Sequence, residues 1–284
     1  MDRTCDLHTH STYSDGTFSP SALLDAAEAA GLSAVALCDH HTVAGLLDFL
    51  AAAEGRSIEA VPGAEFSTDY RGTELHILGL FIRPQHYERI TALMDDAHRR
   101  KERSNRELVA ALSRAGYELD YDLMKSRTPG GQINRAHIAA ELVAKGYVSD
   151  RQEAFSRLLS PKCGLYNPPQ RIDAFEMIRL LKSMGAAVVL AHPFLSLKEE
   201  AALREFLGPA KAAGLDGMEV RYPLFDEEKT RLAEQIAAQF GLLPSGGSDF
   251  HGANKPDISI GTGKGTLFVP LSFLNGLRAA AMSE

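Results

Sequence analysis

The chain has 284 residues, 45% of them apolar and 24% charged, with a net charge of −7. That balance fits a globular α/β protein and argues against a broad basic surface for duplex nucleic acid, though not against a small anionic substrate beside bound cations. No apolar run approaches a membrane span, no basic leader precedes an apolar core, and three scattered cysteines (Cys5, Cys38, Cys163) make no disulfide framework, so the expectation is a cytoplasmic protein without a membrane partner.

The first expected strand, 4–11, carries His8 and His10. Alternate side chains of an extended segment share a face, so the two imidazoles point the same way and Thr9 points away. Such a pair is half of a metal site, or simply two half-buried polar residues. Asp15 follows in a polar loop, and Ser19-Pro20 opens an alanine-rich helix that stops at Gly31. The apolar run 34–38 is too short for a helix and reads as a buried strand ending in Asp39-His40-His41. A helix over 43–54 leads to a third strand, 59–64, ending at Glu65. A fourth, 75–81, contains His76.

Residues 82–169 differ in character. A long charged helix over 86–115 is followed by helical pieces at 135–145 and 150–159, with no convincing strand. The expected organisation is a main body of 1–99 and 166–284 with a helical insertion, 100–165, serving as a substrate-binding cap. Alternation then resumes: helix 174–184, strand 187–191 ending at His192, helix 199–213, strand 218–221, helix 226–240, and strand 242–246 shortly before Asp249 and His251. Seven strands, nearly all followed by helices, predict a parallel α/β architecture.

His8, His10, His40, Glu65, His192, Asp249 and His251 all fall at or just past the C-terminal ends of expected strands. In a barrel of parallel strands those ends converge on one face, where active sites are built. Each residue alone could be a cap or a solvated group; chance does not put a metal-competent side chain at nearly every end. The motifs Asp6-Leu7-His8-Thr9-His10-Ser11, Cys38-Asp39-His40-His41-Thr42, Ala191-His192-Pro193 and Gly247-Ser248-Asp249-Phe250-His251 resemble those of the PHP family, the polymerase and histidinol phosphatase superfamily. The resemblance implies a distorted (β/α)7 barrel with a small helical insertion domain, and a site for two or three divalent metals. One would take His8, His10, Glu65 and Asp249. A second would share Glu65 and add His76 and His192, and a third would take Asp15, His40 and His251. Nitrogen and carboxylate donors admit manganese, the first expectation, and also iron or zinc.

Close metals sharing a carboxylate suit in-line displacement at phosphorus. The expected mechanism is attack by a metal-bridged hydroxide, with Asp249 able to shuttle a proton and His192 or His251 able to protonate the leaving oxygen. In the insertion, Asn134-Arg135-Ala136-His137-Ile138-Ala139 opens a helix after a Gly130-Gly131 turn. That arrangement suits a phosphate clamp and equally an ordinary amphipathic helix with solvated charges. Lys162 is a further candidate contact, and Tyr222 suits either stacking on a base or packing. The insertion element resembles the TrpH-like branch of the family. That implies hydrolysis of nucleoside 3′,5′-bisphosphates such as pAp and of the 5′ ends of short RNA, hence a small nucleotide or short oligonucleotide as partner. The expected enzyme is a phosphoric monoester hydrolase removing the 3′-phosphate, with 5′-to-3′ exonuclease action on short oligonucleotides as the alternative. Histidinol phosphate offers no second phosphate to hold, a non-catalytic nucleotide-binding module would lack ligands, and an amide hydrolase would need no clamp.

Overall fold

The computed structural model describes residues 3–128 and 133–282; the expected Gly130-Gly131 turn lies outside them. The chain forms two compact units, Met1–Ala92 with Ile172–Glu284, and Leu93–Arg171.

The first unit opens with β1 (Cys5–Thr9), α1 (Pro20–Ala29), β2 (Ala34–Leu37), α2 (Leu46–Ala53), β3 (Glu59–Tyr70) and β4 (Thr73–Leu80). Helix α3 (Tyr87–Arg114) runs on into the second unit, which holds α4 (Tyr121–Arg127), α5 (Arg135–Ala144) and α6 (Arg151–Ala154). The first unit resumes with β5 (Ile172–Asp173), α7 (Ala174–Ser183), β6 (Ala187–Leu190), α8 (Pro193–Ser196), α9 (Glu200–Ala213) and β7 (Gly217–Arg221). It ends with α10 (Glu227–Gln239), β8 (Leu243–Gly246) and α11 (Leu271–Met282). Ser19 caps α1 as its sequence suggests, its side chain accepting from Ala22 N ahead of Pro20. Every residue of β1, β2 and β6 is buried, as in a sheet covered on both faces.

The strands follow the order β1-β2-β3-β4-β6-β7-β8, with the short β5 beside β3. The all-parallel expectation is corrected at β4, which runs antiparallel to both β3 and β6. Strand β3 continues to Tyr70 and folds straight back, pairing Tyr70 with Thr73. Arg71 and Gly72 between them have φ of 51° and 82°. Two positive φ values make a type I′ hairpin turn, whose twist matches that of the flanking strands. The Asp69 carboxylate accepts from Gly72 N at 3.0 Å and steadies it.

The sheet's edges meet just beyond the strand ends. Asp249 N donates to His8 O at 2.8 Å, and His10 N donates to Phe250 O at 2.9 Å. A parallel bridge between Thr9 and Phe250 completes the closure into a distorted barrel. Leu7, Ala36, Val61, Leu78, Val189 and Val269 are among the side chains that pack its core. The second unit has its own core, which includes Leu108, Leu112, Ile138, Leu142 and Leu159. Among the described residues no helix is long and apolar enough to cross a membrane.

Candidate metal centre

His8 lies in β1 and His10 one residue past its end, and both are fully buried. His40 follows the end of β2, His192 the end of β6, and Asp249 and His251 the end of β8. Glu65 does not end its strand, as the sequence suggests, but lies inside the longer β3; His76 lies in the returning β4. All nine expected ligands fall into four overlapping groups whose donor atoms lie within 4.8 Å of one another. The groups are His10-Asp15-His40-His251, His8-His10-Asp249, His8-Glu65-His192 and His40-Glu65-His76. They cut across the expected three-metal division, because His10 joins the Asp15 group and His40 joins Glu65.

Glu65 is the hub. Its Oε1 lies 2.7 Å from His76 Nδ1 and 3.0 Å from His192 Nε2. Its Oε2 lies 3.1 Å from His40 Nδ1, 3.2 Å from His8 Nε2 and 3.3 Å from His10 Nε2. Asp249 Oδ1 is 3.3 Å from His10 Nε2 and 3.4 Å from His251 Nδ1. Asp15 Oδ1 is 3.2 Å from His251 Nε2.

These contacts do not satisfy the atoms that make them. His8 Nε2, both ring nitrogens of His10, Glu65 Oε2 and His192 Nδ1 are buried without a well-formed hydrogen bond. Each such atom costs about 1–3 kcal/mol if nothing else engages it. Divalent ions accept those lone pairs, so the donor set fits a metal cluster of nitrogen and oxygen ligands. Cys38 stays outside it: its thiol points to Leu7 O at 3.5 Å, and burial pushes its pKa up.

The charges are correspondingly uneven. Burial holds the His10 imidazole down to about 3. For His76 burial acts the same way, but Glu65 outweighs it and lifts the ring to about 10. His8 is likewise raised, against its burial, by Glu65, Glu219 and Asp249. Burial opposes ionisation of Glu65 and Asp249, yet the surrounding histidines hold both well below the usual carboxylate range.

A second layer, not singled out by the sequence, orients these side chains. Buried Glu219 on β7 sets Oε1 3.0 Å from His8 Nδ1 and accepts from His192 N through Oε2 at 2.6 Å. A proton on His8 Nδ1 leaves the Nε2 lone pair facing the cluster, the usual carboxylate–histidine–metal arrangement. Buried Asp6 ties β1 to the loop after β8, accepting from Ser248 N at 2.8 Å, Ser248 Oγ at 2.5 Å and Gly261 N at 2.8 Å. Asp39 holds the Asp15 loop through Ser11 N at 2.7 Å, Ser11 Oγ at 2.6 Å and Ser14 Oγ at 2.6 Å. Tyr222, buried, is no open stacking platform: its hydroxyl donates to Asp249 Oδ2 at 2.8 Å, and Lys255 Nζ reaches the same oxygen at 2.6 Å. Asp249 and His192 adopt φ of 54° and 28°, left-handed values that non-glycine residues adopt at a cost.

The expected substrate contacts lie in the second unit. Arg135 stacks over Tyr166 at 4.6 Å and Phe155 at 5.6 Å and donates to Leu159 O at 3.2 Å. His137 closes a capping box with Asn134, its Nδ1 accepting from Asn134 N at 3.2 Å. Lys162 is exposed in a 3-10 turn, Pro161–Cys163.

Residues 6–159, more than half of the chain, match the family model described as PHP domain. The chain belongs to the PHP family. It is a metal-dependent hydrolase of that superfamily, and the match takes in the first six of the nine expected ligands. The chain is 34% identical, over 88% of its length and 91% of the relative's, to a 5′-3′ exoribonuclease of Haemophilus influenzae. It is 32% identical, over 90% of each chain, to a 3′,5′-nucleoside bisphosphate phosphatase of Chromobacterium violaceum. A solved structure from Chromobacterium violaceum, described as an amidohydrolase with bound sulfate and no metal, superposes with a TM-score of 0.77 at 28% identity. That superposition covers 98% of this chain and 96% of the other.

Proposed function

We propose that this PHP protein removes the 3′-phosphate of nucleoside 3′,5′-bisphosphates, working in the cytoplasm with manganese as its first-choice metal. The observation that carries the chemistry is the convergence of nine candidate nitrogen and carboxylate ligands, several buried without hydrogen bonds, in four overlapping groups of which Glu65 joins two. Similarity to the bisphosphate phosphatase supports the substrate class.

Divalent ions held by this cluster supply positive charge to phosphoryl oxygens and acidify water. Glu219 keeps His8 in one tautomer and pins the backbone of His192. Tyr222 and Lys255 both reach Asp249 Oδ2, which leaves Oδ1 as the oxygen that faces the cluster. His251 Nδ1 lies 2.8 Å from Asp249 O, an acceptor, so its proton is committed there. Of the two histidines, His192 is therefore the one we assign to protonate the leaving oxygen. The second phosphate is assigned to Arg135, His137 and Lys162, with residues 100–165 as the substrate-binding cap.

The test is phosphate release, with manganese supplied, from pAp, 3′-AMP, 5′-AMP, histidinol phosphate and a short 5′-phosphorylated RNA. The expected order puts pAp first. Arg135→Ala should erase the preference for pAp over 3′-AMP while keeping turnover on simple phosphates. A preference for histidinol phosphate, or indifference to the 5′-phosphate, refutes the reading. A second reading, 5′-to-3′ exonuclease action on short RNA, is favoured by the similarity to the exoribonuclease. It predicts nucleotide release from the RNA in preference to pAp hydrolysis.

A further inference from the structure

Lys255 is absent from every motif discussed so far, yet its ammonium sits on the outer oxygen of a candidate metal ligand. Its Nζ is 2.6 Å from Asp249 Oδ2, with a side chain 38% exposed against 8% for Asp249. The same oxygen also receives the Tyr222 hydroxyl at 2.8 Å, from a buried side chain. One carboxylate oxygen thus has two donors, one buried and neutral, the other charged and open to solvent. Their strengths and mobilities differ. Tyr222 is packed against His192 and Phe225, with ring centroids 5.5 and 5.3 Å away, and cannot swing out without opening the core. Lys255 hangs on a flexible four-carbon stem, and Asp249 Oδ2 keeps a donor if it leaves.

The loop carrying Lys255 is itself anchored to the metal centre. Asn254 Nδ2 donates to Asp15 O at 2.7 Å, and Ala253 N donates to Thr17 Oγ1 at 2.9 Å. Lys255 N donates to Gly252 O at 3.1 Å, closing a short 3-10 turn, Gly252–Asn254. The backbone is fixed while the ammonium remains at the solvent side of Asp249.

We propose that Lys255 is a substrate-phosphate ligand: it pairs with Asp249 in the resting protein and turns its ammonium to the phosphoryl oxygens of bound substrate, while Tyr222 alone holds Asp249. This rests on the phosphoester reading above. Tyr222, acting only through Asp249, is a positioning residue. The two roles separate by experiment.

The probes are inorganic phosphate and Mn2+, each titrated calorimetrically, with kcat and KM for pAp alongside. In Lys255→Met, phosphate should bind the manganese-loaded protein about tenfold more weakly, the usual worth of one charged hydrogen bond. KM should rise by a similar factor, and Mn2+ affinity should hold or tighten because a neighbouring positive charge has gone. Lys255→Arg should recover part of the phosphate affinity. Tyr222→Phe should show the reverse pattern, with weaker Mn2+ binding and phosphate affinity little changed once metal saturates. Equal phosphate affinity in Lys255→Met and wild type overturns the role of Lys255. So does a parallel loss of Mn2+ affinity in that variant, which would mark a merely structural pair. Failure of the manganese-loaded wild type to bind phosphate at all would instead overturn the phosphoester reading.

Discussion

Glu219→Gln is the sharpest single perturbation of the metal centre, because it changes charge and donor count without changing shape. Glu219 is fully buried, with Oε1 3.0 Å from His8 Nδ1 and Oε2 2.6 Å from His192 N. A glutamine offers one acceptor and one donor where the site needs two acceptors. If its amide nitrogen faces His192 N, two donors meet at a distance suited to a hydrogen bond. If it faces His8 Nδ1, that nitrogen must accept, and the ring proton moves to Nε2, the atom that faces Glu65 at 3.2 Å. The first orientation pushes the His192 backbone out of place and the second removes His8 as a lone-pair donor, so either way one candidate ligand is misplaced. Loss of such an orienting carboxylate weakens metal binding by about 10–100-fold, or about 1.4–2.7 kcal/mol. The assay is calorimetric Mn2+ titration of wild type, Glu219→Gln and Glu219→Asp, with circular dichroism to confirm the fold. Manganese affinity within twofold of wild type in Glu219→Gln would refute the orienting role.

Other outcomes follow from the same geometry. Asp249→Asn should keep the fold, since asparagine tolerates the φ of 54°, but present an amide to the cluster and cut turnover at least about a hundredfold; wild-type-like kcat would sink the proposed mechanism. Gly247→Ala would put a Cβ 2.4 Å from His8 Cβ and 2.5 Å from His8 N. Backbone cannot yield cheaply there, so denaturant unfolding should show a loss of about 1–3 kcal/mol, and an unchanged midpoint would contradict the packing. His76 is raised from 6.5 to about 10 in the folded chain without metal, where burial is outweighed by Glu65. Its protonation therefore contributes stability fully below pH about 6.5, and that contribution is lost as pH rises through about 10. Thermal melts of chelator-treated protein should show this alkaline decline, and His76→Gln should flatten it. Metal binding runs the other way. His8 and His76 must shed protons to become ligands, so Mn2+ affinity should rise from pH 6 toward 8, with proton release measurable in buffers of different ionisation enthalpy.

Much of the centre is legible in sequence because of how parallel strands end. Each apolar run closes on a polar side chain, so Leu37-Cys38 before His40 and Leu190-Ala191 before His192 mark both a strand and its chemistry. What escapes are features with the wrong local signature. The β3–β4 hairpin turns on Arg71-Gly72 where Asn-Gly would advertise the type I′ turn, so the reversal of the expected fourth strand is hidden. Glu219 sits in a short strand where a single glutamate reads as a solvent-facing position; only the neighbouring strands reveal that it is buried under two histidines. Lys255 lies in a polar loop, indistinguishable by composition from a solvated lysine. Helix α11 follows Pro270, and the helical spacing of buried Leu274, Leu277 and Ala281 is the signal that would have found it.

The reversed β4 explains how two mid-strand residues join a site otherwise built from strand ends. In a wholly parallel barrel each strand delivers its ligand only where it stops, and a carboxylate at the hub would have to ride on a loop. Here β3 passes the level at which β2 ends: Glu65 N donates to Asp39 O at 3.2 Å, and His41 N donates to Glu65 O at 2.9 Å. Two residues further on, Ser67 pairs with His76 on the returning strand. His76 O in turn accepts from Ala191 N at 3.0 Å, one residue before His192. Across the closure, Asp249 N bonds to His8 O at 2.8 Å. The rim is therefore tied by backbone hydrogen bonds on both sides of Glu65 and again beside Asp249. Glu65, paired with Leu78, and His76, paired with Ser67, are diagonal neighbours on one face of the ladder and meet at 2.7 Å. A hub held in a sheet ladder keeps its position far better than one on a loop, as five converging imidazoles demand. Breaking the turn should therefore act on the metals from a distance. Gly72→Val, which disfavours the φ of 82°, should weaken Mn2+ binding through Glu65 and His76 although the residue touches neither. Unaltered Mn2+ affinity in a folded Gly72→Val protein would show that the hub does not depend on the hairpin.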